Sequence, residues 1–166
     1  RTPLDLAPSD ALSIAKNGPK TFAGRKIGVL ATDGADDATL KALQDAAKAE
    51  GVTLELVAPH IEGIVTAGGQ CVPASQRIPG GPSVLYDAVV LLPSAQGAKT
   101  LAADADARDF VTDAYAHAKC NGYAASAAPW LEKAGRDASA LDAGFVALDT
   151  PEAATTFIRT CRALRF

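Results

Sequence analysis

The run Asp87-Ala-Val-Val-Leu-Leu92, closed by Pro93, constrains the fold more than any other stretch. Its apolar residues follow one another without alternation, so both faces of the strand they form must be covered. A strand covered on both faces belongs in the middle of a parallel sheet, between helix layers. Pro93 ends it, because proline has no N–H to continue the ladder.

The same punctuation recurs along the chain. Lys26-Ile-Gly-Val-Leu-Ala-Thr32 reads as another central strand, with Asp33-Gly34 as its turn. A helix is predicted from about Asp36 to Glu50, with Leu40, Leu43 and Ala47 on one face and Gly51 as its stop. Val52 to Ala58 is the second strand, completing a βαβ unit. Gly63 to Ala74 then breaks the alternation. Ile64-Val-Thr-Ala67 and Gln70-Cys-Val-Pro73 flank Gly68-Gly69, which reads as a β-hairpin insertion. Residues 75–86 read as a loop carrying Pro79-Gly80-Gly81-Pro82.

Asp104 to His117 is predicted to be a helix, with Phe110, Val111 and Ala114 facing inward. From Lys119 a short buried strand holding Cys120 leads into a tight turn. A helix follows, with Pro129 in its first turn and Gly135 at its end. Gly144 to Leu148 is the last strand. Thr150-Pro151-Glu152 opens the last helix, with Thr as cap and Pro at the first helical position. That helix carries Phe157, Ile158, Cys161 and Leu164 and runs to Arg165-Phe166. The expected fold is α/β, a flavodoxin-like three-layer sandwich. Its mostly parallel sheet has helices on both faces, with the hairpin inserted.

Residues 1–23 hold Pro3, Pro8 and Pro19, with Asn17-Gly18-Pro19 as a turn. They read as a tail or surface linker, and order is expected from Gly24, so residues 24–166 form the domain. A chain of 166 residues can bury the core of one such domain. A chain that starts at Arg1 and holds no Met is expected to be a piece or processed product of something longer, with any targeting signal outside it. The net charge of −3 offers no basic stripe for nucleic acid or an anionic membrane surface. No apolar run approaches the roughly 18–20 residues needed to span a bilayer.

A strand-to-helix turn is where an α/β enzyme presents its nucleophile. Here that turn reads Ala124-Ala-Ser-Ala-Ala128, with no Cys and no adjacent His. Ser126 is its only hydroxyl. It would need a base, and the chain offers only His60, after the second strand, and His117, at a helix end. Capping the next helix is the simpler use of Ser126, and complementing a helix dipole the simpler use of His117. Asp36 and Asp37, at the sheet edge where ligands bind, suit either an acid or a helix N-terminus. Cys71, Cys120 and Cys161 match no zinc or redox spacing. Cys120 and Cys161 read as buried small hydrophobes, and Cys71 as the exposed one. Tyr86, Tyr115 and Tyr123 read as packing or surface residues. No residue is assigned a catalytic, cofactor-binding or metal-ligating role.

Asp33-Gly34-Ala35-Asp36-Asp37 resembles the Asp-Gly-x-Glu-Asp string of the glutamine-amidotransferase-like superfamily in its DJ-1/PfpI branch, with Asp36 in the Glu position. Those proteins carry an elbow Cys followed by His-Gly-Pro. The matching stretch here is Ala125-Ser126-Ala127-Ala128-Pro129-Trp130. The Pro is kept and the Cys and His are replaced, which argues against that branch's hydrolase, deglycase and glyoxalase activities.

A second resemblance covers nearly the whole chain. Phe22-Ala-Gly-Arg-Lys-Ile-Gly-Val-Leu30, Gly80-Gly-Pro-Ser-Val-Leu-Tyr-Asp-Ala-Val89 and Ala107-Arg-Asp-Phe-Val-Thr-Asp-Ala-Tyr-Ala-His-Ala-Lys119 are similar to the C-terminal domain of large-subunit catalases. The resemblance implies a parent that dismutates hydrogen peroxide as a homotetramer. Its haem sits in a core domain, and no cofactor is expected in this segment. The chain would then be a non-catalytic accessory domain that stabilises the assembly and binds unfolding client proteins as a holdase. Two alternatives stand beside it. One is a residual DJ-1/PfpI-like enzyme acting on small carbonyls through Asp36 with Ser126 or a cysteine. The other is a small-ligand binding module at the same edge.

Overall fold

The alternation of side chains along two central strands builds both halves of the core. In β1 (Lys26–Ala31), Ile27, Val29 and Ala31 face one helix layer while Leu30 faces the other. In β6 (Ala88–Leu92), Ala88, Val90 and Leu92 face the first layer and Val89 and Leu91 the second. All five residues of β6 are buried, as its unbroken apolar run requires.

The computed structural model describes residues 9–164. In chain order α1 (Ile14–Asn17) precedes β1, and between the two strands come α2 (Asp37–Glu50), β2 (Thr53–Ala58), β3 (Ile64–Val65), β4 (Cys71–Val72) and β5 (Gln76–Arg77). After β6 come α3 (Ala95–Ala103), α4 (Ala105–Ala116), β7 (Asn121–Tyr123), α5 (Ala128–Lys133), β8 (Phe145–Ala147) and α6 (Pro151–Cys161). The sheet runs β5-β2-β1-β6-β7-β8 with every pairing parallel. β3 and β4 form the separate antiparallel hairpin. The three-layer α/β sandwich and the hairpin insertion are as the sequence predicts.

One helix layer is α2 with α6, whose Leu40, Leu43, Phe157 and Ile158 share a core cluster with Phe22. The other contains α3, α4 and α5, with Leu101, Phe110, Trp130 and Leu131. Trp130 is buried without penalty because its Nε1–H donates to the Ala107 carbonyl at 3.1 Å. Gly51 stops α2 in the left-handed conformation (φ 73°), its N–H reaching the Ala47 and Lys48 carbonyls.

Several details differ from the sequence reading. Residues 75–86 are not a plain loop: they hold the edge strand β5 and two 3₁₀ turns, Ile78–Gly80 and Ser83–Leu85. Helix α3 stands where the sequence pattern assigned nothing. Its Gln-Gly-Ala-Lys-Thr stretch has too weak an apolar period to announce a helix. Cys120 precedes β7 rather than lying in it, although its carbonyl accepts from the Val89 N–H. Thr150 occupies the cap position of α6 but makes no side-chain cap bond. Leu164 lies beyond that helix, with φ 67°, and still packs on the core. Phe22 is fully buried, its N–H held by the Glu50 carboxylate at 2.9 Å. Residues 1–8 of the expected tail over 1–23, and the end at Arg165-Phe166, lie outside the described residues.

Candidate functional site

In a doubly wound sheet, ligands bind beyond the carboxyl ends of the strands, where the strand order reverses. The chain passes from β1 outward to β2 and returns to β6 on the other side of β1, so the reversal lies between β1 and β6. A cleft of about 340 Å³ opens there. Asp33 lines it from the end of β1, His60 from the loop after β2, and Ser94, Gln96 and Thr100 from α3 and its cap. Thr32 ties the two strand ends together, its hydroxyl accepting the Ser94 N–H at 3.0 Å, while the Ser94 hydroxyl caps α3 by accepting from Gly97 N–H at 3.1 Å.

The three aspartates after β1 are committed to the backbone. Asp33 accepts the Val65 N–H at 2.8 Å. Asp36 is the N-cap of α2, accepting the Thr39 N–H at 2.7 Å, as the capping reading expects. Asp37 does something the sequence did not suggest. It accepts the Thr66 hydroxyl and the Gly68 N–H, binding the β3–β4 hairpin to the start of α2. These bonds, the Thr66 hydroxyl first, hold its carboxyl below the usual carboxylate range. Gly34, at φ 77°, lets the chain turn sharply enough for its N–H to meet the Val65 carbonyl at 2.8 Å.

The elbow after β7 is relaxed. Residues 125–127 form a 3₁₀ turn, and no residue from Ala124 to Ala128 has a positive φ. The strained backbone that pushes out a nucleophile is therefore missing. Ser126 does not cap the following helix. The cap position belongs to Ala127, and the Ser126 hydroxyl donates instead to the Pro93 carbonyl at 2.6 Å. This bond ties the ends of β6 and β7. The reason is geometric: the extra 3₁₀ turn puts Ser126 one residue too early to reach the helix N–H groups.

The other candidate side chains are scattered. His117 stands at the C-cap of α4, its backbone N–H donating to the Asp113 and Tyr115 carbonyls, at the opposite edge of the sheet from Ser126. His60 lines the cleft and Ser126 does not. Cys71 is exposed, and Cys120 and Cys161 are buried, as the sequence suggested. The Cys120 thiol beside it, together with burial, pushes the Cys161 thiol far up, which leaves it unreactive as a nucleophile. Burial, then the Glu55 carboxylate, pushes the Tyr86 phenol up to about 12. Tyr115 lies under the Arg136 guanidinium, 3.8 Å from its ring centre, and Tyr123 packs edge-on to Phe145. Among the described residues no cluster of three or more His, Cys, Asp or Glu side chains could hold a metal ion. The cleft residues Ser94, Gln96 and Thr100 escaped the sequence reading, whereas Asp33 stood in the turn it placed at this edge. The one signal for them was Ser94 following a strand-ending proline.

Residues 23–166 match the family model described as the C-terminal domain found in long catalases. Catalase C of Rhizobium meliloti is 51% identical over 99% of this chain, and catalase HPII of Mycobacterium avium is 36% identical over 78% of it. The matches cover 23% and 18% of those two relatives, so the chain spans about a fifth of their length. Among solved structures, a cysteine-to-alanine mutant of a DJ-1 superfamily protein from Salmonella typhimurium has a TM-score of 0.69 at 21% identity. The alignment covers 84% of this chain and 89% of that one. DJ-1beta of Drosophila melanogaster gives 0.68 at 14% identity, over 81% of this chain and 86% of that one. These two share the flavodoxin-like fold of the DJ-1/PfpI superfamily. By the match over residues 23–166 and the 51% identity along almost its whole length, the chain belongs to the C-terminal domains found in long catalases.

Proposed function

We propose that this chain is a non-catalytic accessory domain that stabilises a long catalase. The parent, on this reading, dismutates hydrogen peroxide with a haem held in its core domain and works as a homotetramer. The observation that carries the accessory role is the elbow. Ser126 spends its hydroxyl on the Pro93 carbonyl, in an unstrained turn with no imidazole beside it. The neighbouring aspartates are spent as well, Asp36 on capping α2 and Asp37 on holding the hairpin. Haem does not fit the residues present. Tyr86 is buried and strongly held in its neutral form, Tyr115 is covered by Arg136, and His60 lines a different cleft from Tyr123.

The test compares the long catalase with and without this domain. Peroxide turnover per haem is expected to stay the same while the half-life at elevated temperature falls several-fold. An unchanged half-life overturns the stabilising role. Turnover of small α-oxoaldehydes by this chain, lost in Asp36→Asn and Ser126→Ala, would favour the DJ-1/PfpI-like alternative. A holdase function is part of the same proposal. It draws support from Ile61 and Val65, large apolar side chains exposed beside the cleft residues His60 and Ile64. Suppressed light scattering from a heated client enzyme, lost in Ile61→Asp/Val65→Asp, would support it. No suppression at equimolar ratio would remove it.

A further inference from the structure

At the other edge of the sheet, a buried lysine holds a turn in place. Lys119, 4% exposed, donates from Nζ to the Ser83 carbonyl at 2.6 Å and to the Tyr86 carbonyl at 2.7 Å. Burying an ammonium group is costly, and here it fixes the 3₁₀ turn Ser83–Leu85 from beneath. The turn is pinned from its other end too. Tyr86 packs its ring over Gly28, and Asp87 accepts the Lys26 N–H and an Arg25 guanidinium N–H. The two side chains this rigid turn offers to solvent are both large and apolar: Val84 is 65% exposed and Leu85 50%. A preordered apolar pair loses little entropy when it is covered, which suits an interface anchor.

The position of the turn indicates what covers it. Residues 18–25 lead into β1 at this same edge, where Asp87 meets Arg25 and Lys26. Leu12, 84% exposed, lies on the approaching segment. In Catalase C of Rhizobium meliloti more than three quarters of the chain lies outside the matched part, and a C-terminal domain is joined to the rest through its N-terminal side. The segment that joins this domain to what precedes it arrives at β1 beside Asp87, so the edge that holds the Val84–Leu85 turn is the one it reaches first. We propose that the Val84–Leu85 turn is the anchor by which this domain docks on an apolar patch of the catalase core. The inference rests on the accessory-domain reading and names its contact surface.

The test is a photo-crosslink in the full-length catalase. Val84→Cys, Leu85→Cys and Ile61→Cys are made in a Cys71→Ser background and labelled with a benzophenone maleimide. All three positions are exposed in this domain, so the substitutions leave its core untouched. Irradiation followed by peptide mass spectrometry is expected to join positions 84 and 85 to core-domain peptides, and position 61 to none. Crosslinks from 84 and 85 to a second copy of this domain, or yields no higher than from 61, would overturn the inference. Removing the domain and measuring heat inactivation reports separately on the accessory role. If heat stability depends on the domain but position 84 finds no core peptide, only the docking surface is wrong.

Discussion

Gly97 of α3 and Thr32 at the end of β1 meet so closely that a Cβ on Gly97 would lie 1.9 Å from the Thr32 hydroxyl oxygen. The absent side chain lets α3 settle against the strand end, where the Thr32 hydroxyl accepts the N–H of Ser94. Gly97→Ala therefore overpacks the β1–α3 contact. The better helix propensity of Ala offsets only part of the strain, and a net loss of about 1–3 kcal/mol is expected. Urea denaturation checks it, and a variant as stable as the parent would mean that α3 can move away without cost.

Lys119→Met keeps the volume of the side chain but removes both donors. The buried carbonyls of Ser83 and Tyr86 lose these partners, and the expected cost is about 2–4 kcal/mol. Thermal melting measures it. The same variant should raise amide exchange at residues 83–86 more than in β1, because the turn is what the lysine holds.

Acid should loosen the contact between α2, α6 and the segment entering β1. The Arg162 guanidinium, followed by the Phe22 N–H, lowers the Glu50 carboxyl to about 2. Its folded value lies below its unfolded one. The stabilisation is thus complete above the usual glutamate range and is lost as pH falls from about 4.5 through 2. Glu50→Gln should flatten that limb of the stability curve. Equal slopes for the parent and the variant between pH 5 and 2 would contradict it.

Asp37→Asn tests the hairpin latch. It removes the carboxylate that takes the Thr66 hydroxyl and the Gly68 N–H. Faster amide exchange is expected at residues 64–72, with little change in β6. The parent should approach the variant's behaviour as pH drops below the usual aspartate range, since the Asp37 carboxyl titrates lower when folded. A hairpin equally protected in both proteins at pH 7 would show that its backbone bonds alone suffice.

Ser126→Cys places a thiol at the elbow without the strained turn or a neighbouring base. Ordinary maleimide reactivity and no turnover of small carbonyls are expected. Ser126→Ala should cost only about 1 kcal/mol, the net worth of one hydrogen bond to Pro93.

The sheet was legible because its central strands are buried on both faces, and that burial demands continuous apolar runs such as Ala88–Leu92. Helices α2, α4 and α6 were legible from their apolar period and their end residues. Helix α3 was not, because its fit depends on Gly97 having no side chain to meet Thr32, a contact between residues far apart in the chain. The candidate site divides in the same way. The missing elbow cysteine and the string Asp33–Asp37 stand in the sequence. What each carboxylate and hydroxyl does is set by which N–H or carbonyl lies within about 3 Å, and only the folded chain brings those groups together. So the sequence by itself determined the sandwich, its hairpin and an elbow without a cysteine. Tertiary structure decided that Asp37 latches the hairpin, that Ser126 joins two strand ends and that Lys119 holds an apolar turn toward solvent. Hydrogen bonds act at short range, and residues 29 to 36 positions apart reach that range only once the sheet has formed.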